Sequence, residues 1–473
     1  MNRRTKIIAT IGPACDSPEI LEHMIEAGMN CGRINFSHGV DLAQAERIAR
    51  LKAAAQKTGR YVSVLADLPG PKMRVLNTAP IVLNKGVEIC FARKRGSGQG
   101  VPISHPEALA QIKEGQRILL DDGRIVLSVK SATDECIVAV VDIGGELLPH
   151  KGLNLPDTEL DLPHVTSEDE DALDMAVRME ADWIALSFVR GPEAAAALRE
   201  ALSKRSAEMP ILAKIERPEA LSLLPQVIAA FDGVMVARGD LGVEVPLERV
   251  PLIQKDIVEE ANRQAKPVII ATEMLESMRF NPRPTRAETA DVANAVWEGA
   301  DAVMLSAETA SGKWPIESVR FMDLISRETE LHLLEKNILL SKRIAGDPEN
   351  IEQSMAHAAC SMAEEIDASA IVVPSFTGTT ARFVSKFRPS VPILASCVEE
   401  KIARRLSLFR GVDSIIMPEE EARRDLLSAS IRSAVKTGIL EEGMRVVTVS
   451  GRPGAGSTRN PTIQIITIRE DFK

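Results

Sequence analysis

Ile211-Leu212-Ala213-Lys214-Ile215-Glu216 is an apolar run, short enough for one strand, that ends in an ammonium and a carboxylate. Strand alternation sends the side chains of Lys214 and Glu216 to the same face. Seven more runs of this kind occupy residues 6–11, 31–36, 62–66, 183–187, 233–237, 268–271 and 302–305, each followed by helix-like sequence. Just past the runs sit Arg33 and Asn35, Asp67, Ser187, Arg238 with Asp240, Thr272, and Ser306 with Glu308. A (β/α)8 barrel gathers its active site at the C-terminal ends of its strands, and this layout predicts one.

The starts of these runs lie 22 to 35 residues apart, except that 121 residues separate Val62 from Trp183. A whole domain is therefore expected after the third strand. Between Pro71 and Asp161 the pattern turns to short β-branched runs, with Asp121-Asp122-Gly123 as a hairpin signal between residues 117–120 and 124–129. This predicts a small β-barrel lid hung from the mouth of the large barrel. After Ser341 the chain alternates again, with strand candidates at 370–373, 392–394, 412–416 and 444–449. Too few units remain for a second barrel, so an open α/β domain is expected. The division reads 1–70 with 162–340 for the barrel, 71–161 for the lid and 341–473 for the last domain.

Helix boundaries are written locally. Ser17-Pro18-Glu19 opens a helix that Gly28 closes, and Thr285-Arg286-Ala287-Glu288 is a capping box in which Thr285 serves only as a cap.

The chain has 473 residues, well beyond the roughly 250 of such a barrel. Lys and Arg number 57 and Asp and Glu 67, a net charge of −10 that argues against nucleic acid as a partner. The six cysteines are scattered without a CxxC pair, which suggests neither a zinc cluster nor a disulfide framework. The first residues run straight into a strand, and no run is long enough to span a bilayer. A cytoplasmic protein without membrane association is expected.

Glu216 and Asp240 follow consecutive strands, so their carboxylates should converge at the rim. Two carboxylates suit Mg²⁺ or Mn²⁺, the rest of the shell coming from water and substrate oxygens. The bland alternative for each acid is a salt bridge to Arg238 or Arg217. Lys214 at the end of an apolar strand and Arg33, a fixed bidentate cation, add phosphate chemistry to the same cavity. Cations and a divalent metal around one basin suggest phosphoryl transfer.

The chain resembles the pyruvate kinase family. The resemblance runs through Thr5-Lys6-Ile7-Ile8-Ala9-Thr10-Ile11-Gly12-Pro13-Ala14, Arg33-Ile34-Asn35-Phe36-Ser37-His38-Gly39, Lys214-Ile215-Glu216, Met235 to Gly242, Met274-Leu275-Glu276-Ser277-Met278 and Pro284 to Glu288. It implies phosphoryl transfer from phosphoenolpyruvate to ADP in glycolysis, giving pyruvate and ATP. Lys214 would bridge the moving phosphoryl group, Glu216 and Asp240 would hold Mg²⁺, and the Gly239 backbone with the Thr272 hydroxyl would touch the substrate carboxylate. Thr272 also stands near the enol carbon, with a satisfied strand hydroxyl as the alternative. Ser306 and Glu308 either serve a water relay or order the last loop, the latter preferred. His38, Arg74 and Lys151 are the nucleotide candidates, each also readable as an ordinary loop residue. The resemblance further implies a homotetramer.

One segment departs from the family. Asn35, Ser37, Asp67 and the carbonyl of Leu68 would surround K⁺, with an acid shortly after, yet the segment reads Asp67-Leu68-Pro69-Gly70-Pro71-Lys72. A tethered ammonium at Lys72, paired with Asp67, is expected to replace K⁺, so that K⁺ is not required. The alternative is a linker lysine in solvent.

In the last domain, Ser375-Phe376-Thr377-Gly378-Thr379-Thr380 lies between strand and helix, a phosphate site by geometry. The resemblance implies a sugar-phosphate or nucleotide effector there, roofed by residues 451–458 with Arg452. The glycine-rich roof lacks the lysine of a P-loop before Ser457, and Pro461 stands where a helix should start, which weakens an NTPase reading. Two alternatives to a pyruvate kinase stay open: another Mg²⁺ barrel enzyme of phosphoenolpyruvate or oxaloacetate, and a silent metabolite sensor. Intact Lys214, Glu216, Asp240 and Thr272 oppose the sensor, and a nucleotide-binding lid opposes the other enzyme.

Overall fold

A computed structural model describes residues 3–93, 100–133, 135–336, 338, 350–450 and 461–472, with His38 and Asp471 described by backbone alone. Eight parallel strands close on themselves: β1 Lys6–Thr10, β2 Cys31–Asn35, β3 Ser63–Asp67, β4 Trp183–Leu186, β5 Ile211–Ile215, β6 Gly233–Ala237, β7 Val268–Ala271 and β8 Ala302–Leu305. They pair in chain order, and β8 returns to β1 with Ala302 beside Lys6. Each predicted window holds one of them.

Alternation sorts the strand residues into two sets. Ile7, Ile34, Val64, Ile184, Ile211, Val234, Val268 and Val303 join the apolar cluster that includes the surrounding helices. Ile8, Leu65, Ala185, Leu212, Met235, Ile269 and Met304 fill the barrel and belong to a second cluster that continues into the last domain. Because both sets are apolar, the strands read as continuous hydrophobic runs.

The local helix signals act as written. Ser17 caps the helix Pro18–Glu26 by accepting from Ile20, and Thr285 with Glu288 forms a reciprocal capping box at Arg286–Glu298. The chain between β3 and β4 builds a five-stranded antiparallel sheet and the two-stranded ribbon Ile81–Leu83 with Gly145–Leu147, over a core of its own. The predicted hairpin is present, Arg117–Leu120 against Ile125–Ala132, with Asp121 and Asp122 both in the left-handed region. An isolated bridge between Arg74 and Gly152 joins its outgoing and returning strands.

The last domain is an open sheet ordered Val412–Ile416, Ile393–Cys397, Ala370–Ser375, Arg445–Ser450 and Thr462–Thr467. The fifth strand, antiparallel and at the edge, adds to the four expected. This domain sits against the floor of the barrel. Trp183 packs on Phe409, Arg388 forms a buried pair with Asp301 at 2.6 Å, and Arg404 pairs with Asp182 at 3.1 Å. Among the described residues no helix is long and apolar enough to cross a membrane, and the six cysteines are free.

Candidate active site

β2, β3 and β5 deliver three charged side chains to one place. Arg33 donates through Nε to Asp67 at 2.7 Å and through Nη1 to the Thr10 hydroxyl at 2.9 Å. The Lys214 ammonium lies 2.7 Å from the Ser187 hydroxyl, 3.0 Å from Glu216 Oε1 and 3.3 Å from Asp67 Oδ1. The Ser187 hydroxyl in turn donates to the Leu68 carbonyl at 2.6 Å. Phe188, with φ of 55°, turns its amide onto Glu216 Oε2 at 2.7 Å. A left-handed bulky residue is strained, and here the strain aims a donor at a fully buried carboxylate.

Burial alone would depress the Lys214 ammonium, but Asp67 and Glu216 outweigh it and hold its pKa above the ordinary value. Burial likewise pushes Asp67 up, and Lys214 with Arg33 more than reverses this, leaving it below the ordinary carboxylate range. Glu216 goes the other way: burial raises it, Lys214 opposes, and the negative field of Asp240 adds to the rise. Glu216 is thus a desolvated carboxylate that the Lys214 ammonium compensates only in part and that faces a second carboxylate.

The alternative salt bridges for the two acids are not made. Arg238 goes instead to Asp291 at 2.7 Å and to the Thr272 carbonyl at 2.6 Å, and Arg217 goes to Glu219 and Glu244. Asp240 pairs with Lys72 at 2.7 Å. This corrects the expectation that Lys72 pairs with Asp67, whose Oδ2 is taken by Arg33 and whose Oδ1 already faces the Lys214 ammonium at 3.3 Å. Lys72 reaches past Asp67 because it lies beyond the turn at Gly70, at the lid hinge. Its ammonium still enters the basin, 5.9 Å over the Phe188 ring, so it is no solvated linker residue.

Two buried oxygens, Asp67 Oδ1 and Glu216 Oε1, have no aligned hydrogen-bond donor, although Lys214 stands within ion-pair range of both. Glu216 Oε1 therefore keeps a lone pair free at the rim. No group of three or more His, Cys, Asp or Glu able to hold a metal occurs among the described residues. Two carboxylates with an orphaned oxygen fit a hard divalent cation that takes water and substrate oxygens for its remaining ligands.

Gly239 donates its amide to the Thr272 hydroxyl at 2.8 Å, and that hydroxyl donates to the Ala271 carbonyl at 2.6 Å. Thr272 holds φ at 67°, an unusual state for a β-branched residue, pinned by Arg238 on its carbonyl. Glu308 accepts from the amides of Leu275 and Ser306 and is fully buried, so it orders the last loop. The Ser306 hydroxyl is buried without a partner.

Around the predicted monovalent-cation position, Asn35 accepts from the Ser37 amide at 3.2 Å and the Leu68 carbonyl is occupied by Ser187. Of the nucleotide candidates, Arg74 donates to the His150 carbonyl at 3.0 Å and Lys151 pairs with Asp121 at 2.7 Å, the two meeting at the lid hinge. His38 ends the short turn Phe36–His38, and its side chain lies outside the described residues.

In the last domain Ser375 accepts from the Gly378 amide at 2.7 Å, and Thr377 and Thr379 share a hydroxyl contact at 3.0 Å. The helix Thr379–Lys386 starts at Gly378 in the left-handed region, without a side-chain cap. The Ser/Thr cluster therefore does not cap this helix: Gly378, at φ of 85°, stands at the cap position, and the Ser375, Thr377 and Thr379 hydroxyls are engaged within the turn. Arg452 and the rest of residues 451–458 lie outside the described residues.

Sequence reasoning missed Thr10, Phe188, Glu244 and the reach of Arg217. The usable signals were the positions of Thr10, at the end of β1, and of Phe188, two residues past the end of β4.

A (β/α)8 barrel with paired cations and rim carboxylates at its mouth defines an enzyme of the phosphotransferase class. Residues 2–319 match the pyruvate kinase barrel domain and residues 353–466 the pyruvate kinase alpha/beta domain. The chain is 42% identical to a pyruvate kinase of Agrobacterium vitis, covering 97% of this chain and 98% of that one. It is 40% identical to that of Geobacillus stearothermophilus over 99% of this chain and 81% of the other. A crystal structure of a pyruvate kinase from Cryptosporidium parvum superposes with a TM-score of 0.90 at 31% identity, covering 98% and 96% of the two chains. The chain belongs to the pyruvate kinase family.

Proposed function

We propose that this chain is a Mg²⁺-dependent, K⁺-independent pyruvate kinase that transfers the phosphoryl group of phosphoenolpyruvate to ADP in glycolysis. The observation that carries this reading is the Lys214 ammonium, held by Ser187, Glu216 and Asp67 at the C-terminal mouth of the barrel.

Each ion pair of the basin has a counterpart in the reaction. Lys214 and Arg33 face the phosphoryl group as it leaves the enolate oxygen, and their carboxylate partners keep both cations fixed before substrate arrives. Glu216 and Asp240 are the metal ligands, and the bound ion, Mg²⁺ or Mn²⁺, supplies neutralisation of charge on substrate oxygens. The substrate carboxylate takes the Gly239 amide and the Thr272 hydroxyl from each other, and Thr272 then stands beside the carbon that gains a proton. Ser306, buried and unpartnered, is the candidate for relaying that proton. Arg74, Lys151 and His38 form the nucleotide side under the lid.

Lys72 stands for K⁺. Its ammonium brings one positive charge to Asp240, in a region where Asn35 Oδ1, Asp67 Oδ2 and the Leu68 carbonyl already have partners. The remaining assignments are a cytoplasmic homotetramer divided at 1–70 with 162–340, 71–161 and 341–473, and an effector site at Ser375, Thr377, Gly378, Thr379, Thr380 and Arg452 for a sugar phosphate or nucleotide. The test is a coupled assay of pyruvate formed from phosphoenolpyruvate, ADP and Mg²⁺, comparing the parent with Lys214→Met. Undiminished turnover in the variant overturns the reading.

A further inference from the structure

Arg217 follows the proposed metal ligand Glu216 directly but turns away from the mouth. Its guanidinium is 2% exposed and all of its donor nitrogens are used. Nε and Nη2 fork onto Glu219 at 3.0 and 2.7 Å, Nη1 binds Glu244 at 2.7 Å, and Nη2 reaches the Thr158 carbonyl at 3.1 Å. Glu244 spends its other oxygen on the Asn154 amide at 2.7 Å. Asn154 belongs to the returning strand of the lid, Leu153–Asn154, which pairs with Arg117–Leu120. Glu244 ends the helix Arg238–Glu244, whose first turn carries Asp240.

Three segments that no local pattern connects are thus bolted at one buried point: the loop of Glu216, the helix of Asp240, and the strand by which the inserted domain returns toward the barrel. We infer that Arg217 and Glu244 are positioning residues, fixing the two acids relative to each other and the lid relative to both. The inference rests on the assignment of Glu216 and Asp240 as metal ligands for its first half only. A cavity of about 20 Å³, lined by Lys72, Asn154, Phe188, Arg190, Arg217 and Glu244, lies between this latch and the basin. It is room for a single water, so the latch and Lys72 line the same small void.

Buried ionic groups are replaceable by apolar ones without loss of fold, so burial alone does not establish this role. What marks it is that the contacts run across segments rather than within one, and that they end one residue from Glu216 and four from Asp240. Lysine at 217 keeps the charge and loses the fork, glutamine at 244 keeps the shape and loses the charge, and alanine at 154 cuts the lid arm alone.

The experiment uses the full chain and the variants Arg217→Lys, Glu244→Gln and Asn154→Ala, each checked for fold by circular dichroism. Three quantities are read: Mn²⁺ affinity of the substrate-free enzyme by electron paramagnetic resonance, hydrogen exchange of residues 151–158, and the separate KM values for ADP and phosphoenolpyruvate. Arg217→Lys and Glu244→Gln are expected to weaken Mn²⁺ binding by about tenfold, the range for groups that orient metal ligands, and to speed exchange at the hinge. Asn154→Ala is expected to speed exchange and raise KM for ADP while leaving Mn²⁺ affinity at the parent value. If the Arg217 and Glu244 variants only melt earlier, with Mn²⁺ affinity, hinge exchange and both KM values unmoved, the residues are structural and the inference is overturned. Should the parent itself bind no Mn²⁺, the metal assignment fails, and hinge exchange with the ADP KM still decides the latch.

Discussion

The ammonium of Lys72 lies 2.7 Å from Asp240 Oδ1, so a residue from the lid hinge neutralises an acid of the barrel rim. Both side chains are partly exposed, at 29% and 26%, which makes the pair a modest contributor to stability. Its consequence is for charge in the basin.

Lys72→Glu places a second carboxylate against Asp240. Without KCl, in tetramethylammonium buffer, the variant is expected to lose at least about tenfold in kcat/KM, the equivalent of ~1.4 kcal/mol of transition-state stabilisation. KCl should restore part of this loss in the variant and leave the parent unchanged. A parent that KCl activates many-fold would refute the assignment of Lys72.

Lys214→Met removes the ammonium from the centre of the basin. Turnover is expected to fall by on the order of 10²–10³, the cost of one electrostatic donor to a transition state, or more. Binding of phosphoenolpyruvate, followed by quenching of intrinsic fluorescence, should persist through Arg33.

Thr285→Ala tests whether this residue only caps. Its hydroxyl accepts from the Glu288 amide at 3.2 Å, while Glu288 reaches back to the Thr285 amide and to Ser277. Denaturant unfolding should show a loss of about 1 kcal/mol. KM and kcat measured well below the transition should match the parent, and a changed KM would give Thr285 a role at the site.

Lys266 supplies a pH test away from the active site. Burial, and then the nearby Arg382, push its ammonium down to about 8. The unfolded value is near ~10.4, so between the two the unfolded chain binds more protons and stability from this group rises with pH. Below about 8 the folded protein carries the whole cost of a charged, half-buried ammonium. Lys266→Met, which loses bonds to the Phe231 and Ala229 carbonyls, should be more stable than the parent at pH 7 by about 1–2 kcal/mol. The difference should shrink as pH climbs toward 10, and a constant difference would count against the shift.

Much of this architecture is written in short stretches. The eight barrel strands, the turn at Asp121-Asp122-Gly123 and the caps at Ser17 and Thr285 are local patterns of apolarity and turn chemistry, and each appears where its residues place it. The edge strand Thr462–Thr467 escaped because it pairs antiparallel on one side only and has a mixed exposure pattern, which blurs its periodicity. At the site, Arg33, Asp67, Lys214, Glu216, Asp240 and Thr272 were legible because strand ends of a barrel converge whatever the loops do.

The sequence by itself determined that eight strands close into a barrel and that their ends bring cations and carboxylates to one mouth, because the alternation that buries a strand needs only neighbours within a few residues. Only the tertiary structure decided who pairs with whom. Lys72 chose Asp240 over Asp67, Arg217 chose Glu244 and the lid over Glu216, and Thr272 bonded Gly239. Those choices depend on distances between segments 27 to 168 residues apart, and ionic contacts weaken with each ångström and with each water that intervenes.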